Sequence, residues 1–217
     1  ICQSDKHLTA LHPDSAQQTT PISPSHKEPQ RATAAHQEPV VSVNCITVRD
    51  DTPTPRICRL ICLAKVYPDR CPEEAVKMYV ILDPQSTRTL AKSAFFDLFD
   101  VHKEDVNFKI STCTAQRSTA GRKAAGLCIG SLDGSSRFLL LPVLEWDELP
   151  NDHSHIATPE VASNIPHLKH LAHEIPALDP EAKILLLLGL DAPKALAHIE
   201  IVQGPDGPPF AFKSHLG

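Results

Sequence analysis

No apolar run in the chain approaches the roughly eighteen residues of a membrane span; the longest, 184–188, is strand-sized. Nor is there an excess of positive charge. With 21 Lys and Arg against 26 Asp and Glu the formal charge is -5, which argues against a protein that binds nucleic acid mainly through phosphate electrostatics. An initiator is also missing: Ile1 stands first and the single methionine is Met78, so a fragment or processed piece is expected. No charged segment followed by an apolar one opens the chain, and its 7 cysteines are an odd number without dense, regular spacing. Both features point to a reducing, intracellular and cytoplasmic setting rather than to a disulfide-stapled secreted fold. No internal repeat of fixed period is present.

What is there divides into a polar leader and an apolar body. Residues 13–55 are rich in Pro, Ser, Thr and Gln, with prolines at 13, 21, 24, 29, 39, 53 and 55. Such a stretch cannot bury enough surface to offset the entropy of ordering, so a disordered linker is expected, with one short strand within the alternating 40–48. The folded domain is expected over 56–217. The 41% apolar content of the whole chain supplies a core for one ordinary domain.

Within that domain the signals are mainly β. Segments 57–67 and 76–82 read as neighbouring strands about the turn at 68–72. The apolar residues of 90–99 fall within about half a helical wheel, predicting an amphipathic helix capped by Ser86 or Thr87. Strands are expected at 106–114 and 125–130, flanking a polar connection in which Gly121 and Gly126 bracket Arg122 and Lys123 as a hairpin tip. A turn at 132–135 leads into 137–144. Residues 166–175 read as a helix, 182–188 as a strand and 198–202 as the last strand candidate.

Two short elements carry the chemistry. Val80-Ile81-Leu82-Asp83-Pro84-Gln85-Ser86 is an apolar strand running into an acid and a hydroxyl, and Leu187-Leu188-Gly189-Leu190-Asp191 is an apolar run ending in glycine and an acid. In this order, with a β-rich segment between them, they resemble the two sequence marks of retropepsin-like aspartic proteases. Over 76–90, 158–162 and 175–191 the chain looks like the aspartic peptidase domain in polyproteins of Pao/BEL-type retrotransposons. The resemblance covers 56–217 and implies a retropepsin-like acid-protease barrel with one or two short helices, truncated at its C-terminus. It further implies Asp83 as catalytic acid/base, Ser86 as a hydroxyl bracing the turn across a dimer axis, a homodimer, and a polypeptide substrate held under hairpin flaps within 114–125.

The physical requirement behind that implication is a pair of carboxylates. Two aspartates about 3 Å apart cannot both ionise; they share a proton and activate a water against a peptide carbonyl. One Asp83 per chain therefore demands two chains. The sequence departs from the family where glycine normally follows the aspartate: Pro84 removes a backbone N–H and Gln85 adds a side chain. Two readings stay open. One is an endopeptidase that cleaves a retroelement polyprotein; the other is a catalytically inactive domain serving dimerisation or peptide binding. Asp191 reads as a turn or helix-cap aspartate, and Leu190 stands where related proteases often carry Arg.

Near the start, Cys2, His7 and His12 are spaced C-x4-H-x4-H, resembling part of a retroviral zinc knuckle over residues 1–12. Three ligands leave a tetrahedral site incomplete, so zinc, and with it single-stranded nucleic acid, is expected only if the upstream knuckle is complete. No cofactor is expected for the peptidase domain. His167, His170 and His173 are expected on a solvated helix face, and His153 and His155 in a loop. Cys58 and Cys62 are expected on one face of a strand; with Cys71, Cys113 and Cys128 they read as inert thiols.

Overall fold

A computed structural model describes residues 40–42, 58–112, 115–205 and 207–217. They belong to a compact unit, Gln37–Gly217. The fold is mainly β. Its strands are β1 (Val40–Ser42), β2 (Ile61–Pro68), β3 (Val76–Leu82), β4 (Leu90–Ala91), β5 (Lys103–Ser111), β6 (Gln116–Ala124), β7 (Leu127–Gly130), β8 (Arg137–Leu139), β9 (Val143–Glu145), β10 (Ile184–Leu188), β11 (His198–Gly204) and β12 (Gly207–Ser214). Three short helices join them: α1 (Ser93–Phe96), α2 (Pro159–Ser163) and α3 (Pro193–Leu196).

Ten strands form one sheet in the order β1-β5-β6-β9-β4-β10-β3-β2-β7-β8, and β11 with β12 forms a separate two-stranded ribbon. β3 and β10 lie at the centre and are parallel to each other. Both are buried on both faces, which is why each reads as a continuous apolar run rather than an alternating one. Met78, Val80 and Leu82 point into one core cluster, Tyr79 and Ile81 into a second. Ala124 and Val143 from one half of the sheet share the first cluster with Leu127 and Ile129 from the other half, so the sheet curls around it. The expected mainly β architecture with few short helices is what the chain adopts.

Several local expectations are corrected. Residues 90–99 are not one helix. Leu90 and Ala91 pair with β10, the helix is confined to Ser93–Phe96, and its N-cap is Lys92 rather than Ser86 or Thr87. Apolar spacing could not separate the two outcomes at Leu90, Ala91, Phe95 and Phe99, which are buried either way, whereas Leu98, on the expected helix face, is 43% exposed. Segment 166–175 holds a single 3-10 turn at Lys169–Leu171, and the regular helix is α2 upstream of it, opened by Pro159 at its first turn.

The connection at 116–124 is a full strand rather than a hairpin tip: β5 and β6 pair from Lys103↔Ala124 to Ser111↔Gln116. Gly121 lies inside β6, where an added Cβ would stand 3.1 Å from the Glu145 carbonyl. β12 follows a Gly-Pro segment where no strand was expected. Cys58 precedes β2 instead of sharing its face with Cys62.

Arg122 ties the hairpin to the body of the sheet. Its Nε and backbone N both donate to Glu145 Oε2, at 2.9 and 2.8 Å, and its remaining nitrogens reach Glu145 Oε1, Asp97 and the Ser93 carbonyl. The guanidinium also lies 5.0 Å over the Phe96 ring. One side chain thus joins β6, β9 and α1. The Arg122 hydrogen bonds hold the Glu145 carboxyl below the usual glutamate range, against the opposing effect of its partial burial. A carboxyl with a depressed folded pKa adds stability that is complete above its unfolded value and lost as pH falls through the folded one. Glu145→Gln is therefore expected to lower stability at neutral pH and to flatten its dependence on pH below about 4, as measured by urea unfolding across that range.

Candidate active site

The position of β10 between β3 and β4 dictates the shape of the site. Leaving β3 at Leu82, the chain must vault the carboxyl end of β10 before returning as β4 on its far side. Residues 83–89 make that crossing directly over Gly189. A Cβ at 189 would lie 2.5 Å from the Arg88 carbonyl oxygen, closer than real contacts allow, so only glycine fits. Backbone bonds lace the crossing down: Asp83 N donates to Leu188 O at 3.0 Å, and Leu190 N to Ser86 O at 2.8 Å.

At the head of the crossing, Asp83 through Ser86 form a β-turn closed by Ser86 N to Asp83 O at 3.2 Å. Proline at its second position supplies the fixed φ such turns favour. No non-glycine residue among those described has positive φ, so Gln85 occupies its place without strain. Gln85 N donates to Asp83 Oδ1 at 2.9 Å, which orients the half-buried carboxylate. Pro84 and Gln85 are exposed.

Ser86 is completely buried, and its Oγ donates to the Arg88 carbonyl at 2.7 Å. Its hydroxyl braces the turn within its own chain. The structure thus brings Asp83 and Ser86 into one rigid turn, with the acid accessible and the hydroxyl enclosed.

Of the two roles expected for Asp191, the turn holds and the helix cap does not: it lies in the turn closed by Ala192 N donating to Gly189 O at 2.9 Å. The cap of α3 is Ala192, and the Asp191 side chain is 7% exposed. Its carboxylate accepts from Thr89 Oγ1 at 2.6 Å, Thr89 N at 3.0 Å and Arg88 Nε at 3.1 Å. Arg88 continues to the Pro142 carbonyl at 3.2 Å. With Leu190 exposed, the cation paired to this aspartate comes from the crossing loop instead of from the residue beside it. The Arg88–Asp191 pair was the feature missed from sequence; its only signal was an Arg and an Asp at the two elements already matched.

No family model, curated protein or solved structure matches this chain. Its chemistry therefore rests on the site itself.

A largely apolar cleft of about 1090 Å³ reaches Leu82, the residue before the turn, with Ile61, Leu63 and Tyr79 also on the sheet side and Phe210 and Phe212 on the ribbon; Asp83 is not part of its lining. One accessible carboxylate beside an apolar cleft can polarise water or bind an extended chain, but it cannot share a proton without a second acid.

The other sequence candidates lie elsewhere. Cys2, His7, His12 and Cys113 lie outside the described residues. Among the described residues no cluster of three or more His, Cys, Asp or Glu side chains is arranged to hold a metal, and no helix is long and apolar enough to cross a membrane. His170 and His173 are solvent-exposed as expected. His167 differs: its Nε2 lies 2.9 Å from the Pro209 carbonyl oxygen, and its ring fills the space above Gly204. Desolvation pushes the Cys62 thiol up to about 12, the mark of an inert thiol.

Removing the Asp191 carboxylate strands the Thr89 and Arg88 donors. Asp191→Ala is expected to cost about 3 kcal/mol in urea unfolding, whereas Leu190→Ala next to it stays near neutral. Gly189→Ala, which forces backbone against backbone, is expected to cost at least as much.

Proposed function

We propose that this chain is an aspartic endopeptidase domain of the retropepsin-like type, acting as a homodimer on polypeptide substrates. The observation that carries the reading is the crossing of 83–89 over Gly189. It leaves an oriented, accessible aspartate directly after Leu82, which lines an apolar cleft, on the two elements whose sequences resemble the Pao/BEL retrotransposon peptidase domain.

In that reading two Asp83 carboxylates, one from each copy, meet about 3 Å apart and hold a single proton. The ionised member takes a proton from water as its oxygen attacks the scissile carbonyl, and the protonated member supplies the developing oxyanion with a hydrogen bond. Collapse of the tetrahedral species then transfers a proton to the leaving amine. An extended substrate lies in the cleft, its apolar side chains against Ile61, Leu63 and Leu82. The β5–β6 hairpin is the flap candidate.

A second reading has a specific observation in its favour. Gln85 stands where the family carries glycine and is exposed at the point where a partner's turn would approach. That side chain favours an inactive, retroelement-derived domain that keeps the fold for dimerisation or peptide binding. Zinc and single-stranded nucleic acid enter either reading only through a complete upstream knuckle.

Incubation of the full chain with a mixed peptide library at mildly acidic pH separates the two. The peptidase reading expects cleavage that Asp83→Asn abolishes and Gln85→Gly preserves or raises. Cleavage surviving Asp83→Asn would remove Asp83 from the chemistry. A folded dimer that cleaves nothing, with or without Gln85→Gly, would establish the inactive domain.

A further inference from the structure

Beside the apolar cleft lies a smaller hollow of about 410 Å³, walled by Ser135, Ser136, Arg137 and Phe138 at and just before β8, by Lys194 on α3 and by His215 beyond β12. A volume of this order suits a small ligand group. No carboxylate is among the described residues that line it, in a chain whose formal charge is -5. Ser135, Ser136 and His215 line the cleft as well, so the two hollows adjoin.

The charges of the two hollows are differently committed. In the cleft, Glu174 pairs with Lys213 at 2.6 Å, and Glu200 stands opposite Lys213 across the ribbon. Arg59 Nε donates to His155 Nδ1 at 3.2 Å, and Asp133 Oδ1 accepts from Ser131 Oγ at 2.6 Å and Ser135 N at 3.0 Å. The cleft is therefore apolar with its own charges satisfied. In the smaller hollow Arg137 is partly engaged, its Nη2 donating to Asp69 Oδ1 at 2.5 Å and to the Asp69 carbonyl at 3.0 Å. Lys194 and His215 are exposed and have no hydrogen-bond partner among the described residues. The His215 ring stands edge-on to Phe138, with centroids 5.9 Å apart.

We propose that this hollow is an acidic-residue subsite of the cleft, taking the anionic side chain of a peptide whose neighbouring apolar residues lie in the cleft itself. The proposal rests on the peptidase reading, which puts a peptide there, and adds what that peptide must carry. Charge complementarity is the argument. An anion entering the hollow gains the Lys194 ammonium, the remaining field of Arg137 and the serine hydroxyls, and charge-assisted hydrogen bonds are about twice as strong as neutral ones. A basic side chain in the same place meets like charge, so the hollow selects by repulsion as well as by attraction. Carboxylate and phosphate share this chemistry.

Binding is measured on full-chain Asp83→Asn, which keeps peptides intact, by fluorescence anisotropy of rhodamine-labelled peptides. Each carries four apolar residues, with two glutamates before them, two after them, or two glutamines instead. One acidic peptide is expected to bind at least ~tenfold tighter than its glutamine counterpart. Adding Lys194→Glu is expected to remove that preference with circular dichroism unchanged, and about 0.5 M sodium chloride to weaken it. Lys77→Glu, an exposed position that lines neither hollow, is expected to keep it. Phosphoserines in place of the glutamates tell the two anions apart: tighter binding assigns phosphate, equal or weaker binding carboxylate.

Equal binding of acidic and glutamine peptides would overturn the proposal. So would a preference that Lys194→Glu leaves intact or that Lys77→Glu removes as well, and so would the absence of any binding. The outcomes also separate this subsite from the reaction. Acid-dependent binding with no Asp83-dependent cleavage by the unsubstituted chain overturns the peptidase and keeps the subsite, whereas Asp83-dependent cleavage of acidic and glutamine peptides alike does the reverse.

Discussion

The carboxylate of Asp191 bears the weight of the site because it satisfies three donors from the loop that crosses above it. A loop vaulting the end of a buried strand loses its backbone contacts with water, and each group it brings in must find a partner. Leu188, Ser86 and Arg88 supply carbonyl oxygens for part of that demand. Asp191 supplies the rest, from the first residues after β10, so the strand that is crossed also provides the clamp. Gly189 makes the close approach geometrically feasible, and Asp191 makes it favourable. Neither is sufficient alone.

Seen from this clamp, the orientation of Asp83 follows without any contact of its own to the core. β3 ends at Leu82 because its next residue must turn, Pro84 sets the turn, and Gln85 N fixes one carboxylate oxygen. Ser86, enclosed beneath, has its hydroxyl committed to Arg88. The acid is left as the polar side chain of the turn that is both oriented and within reach of solvent. In an active site that arrangement is a requirement, and in a surface turn it is an unusual amount of support for one exposed residue.

The legible parts of the fold were those where a single physical cause controls the pattern. β3 and β10 were readable because burial on two faces leaves five-residue and longer apolar runs with no polar alternative. β6 was not, because a hairpin projecting from the sheet has few core contacts and its residues, Gln116 to Lys123, are polar on both faces. At 90–99 the same apolar residues satisfy a helical wheel and a strand-then-helix path, and the choice fell to β10, a partner nearly a hundred residues distant, which captured Leu90 and Ala91. Asp83 and Gly189 could be picked out as candidates, but not the reason 189 must be glycine, nor that Arg88 would be the cation on Asp191. Both depend on a crossing that no local spacing encodes.

That crossing is also tied closely to the ribbon that follows it in the chain. Between Asp191 and the exposed β11 lies only α3, whose Ala195 and Leu196 pack against the first core cluster. The clamp that sets the Asp83 turn and the β11–β12 ribbon are therefore consecutive along the chain, joined by one short, packed helix. In a single chain the Asp191 carboxylate already holds all three of its donors, so the turn that orients Asp83 is complete within one copy and a second copy would add only the second acid.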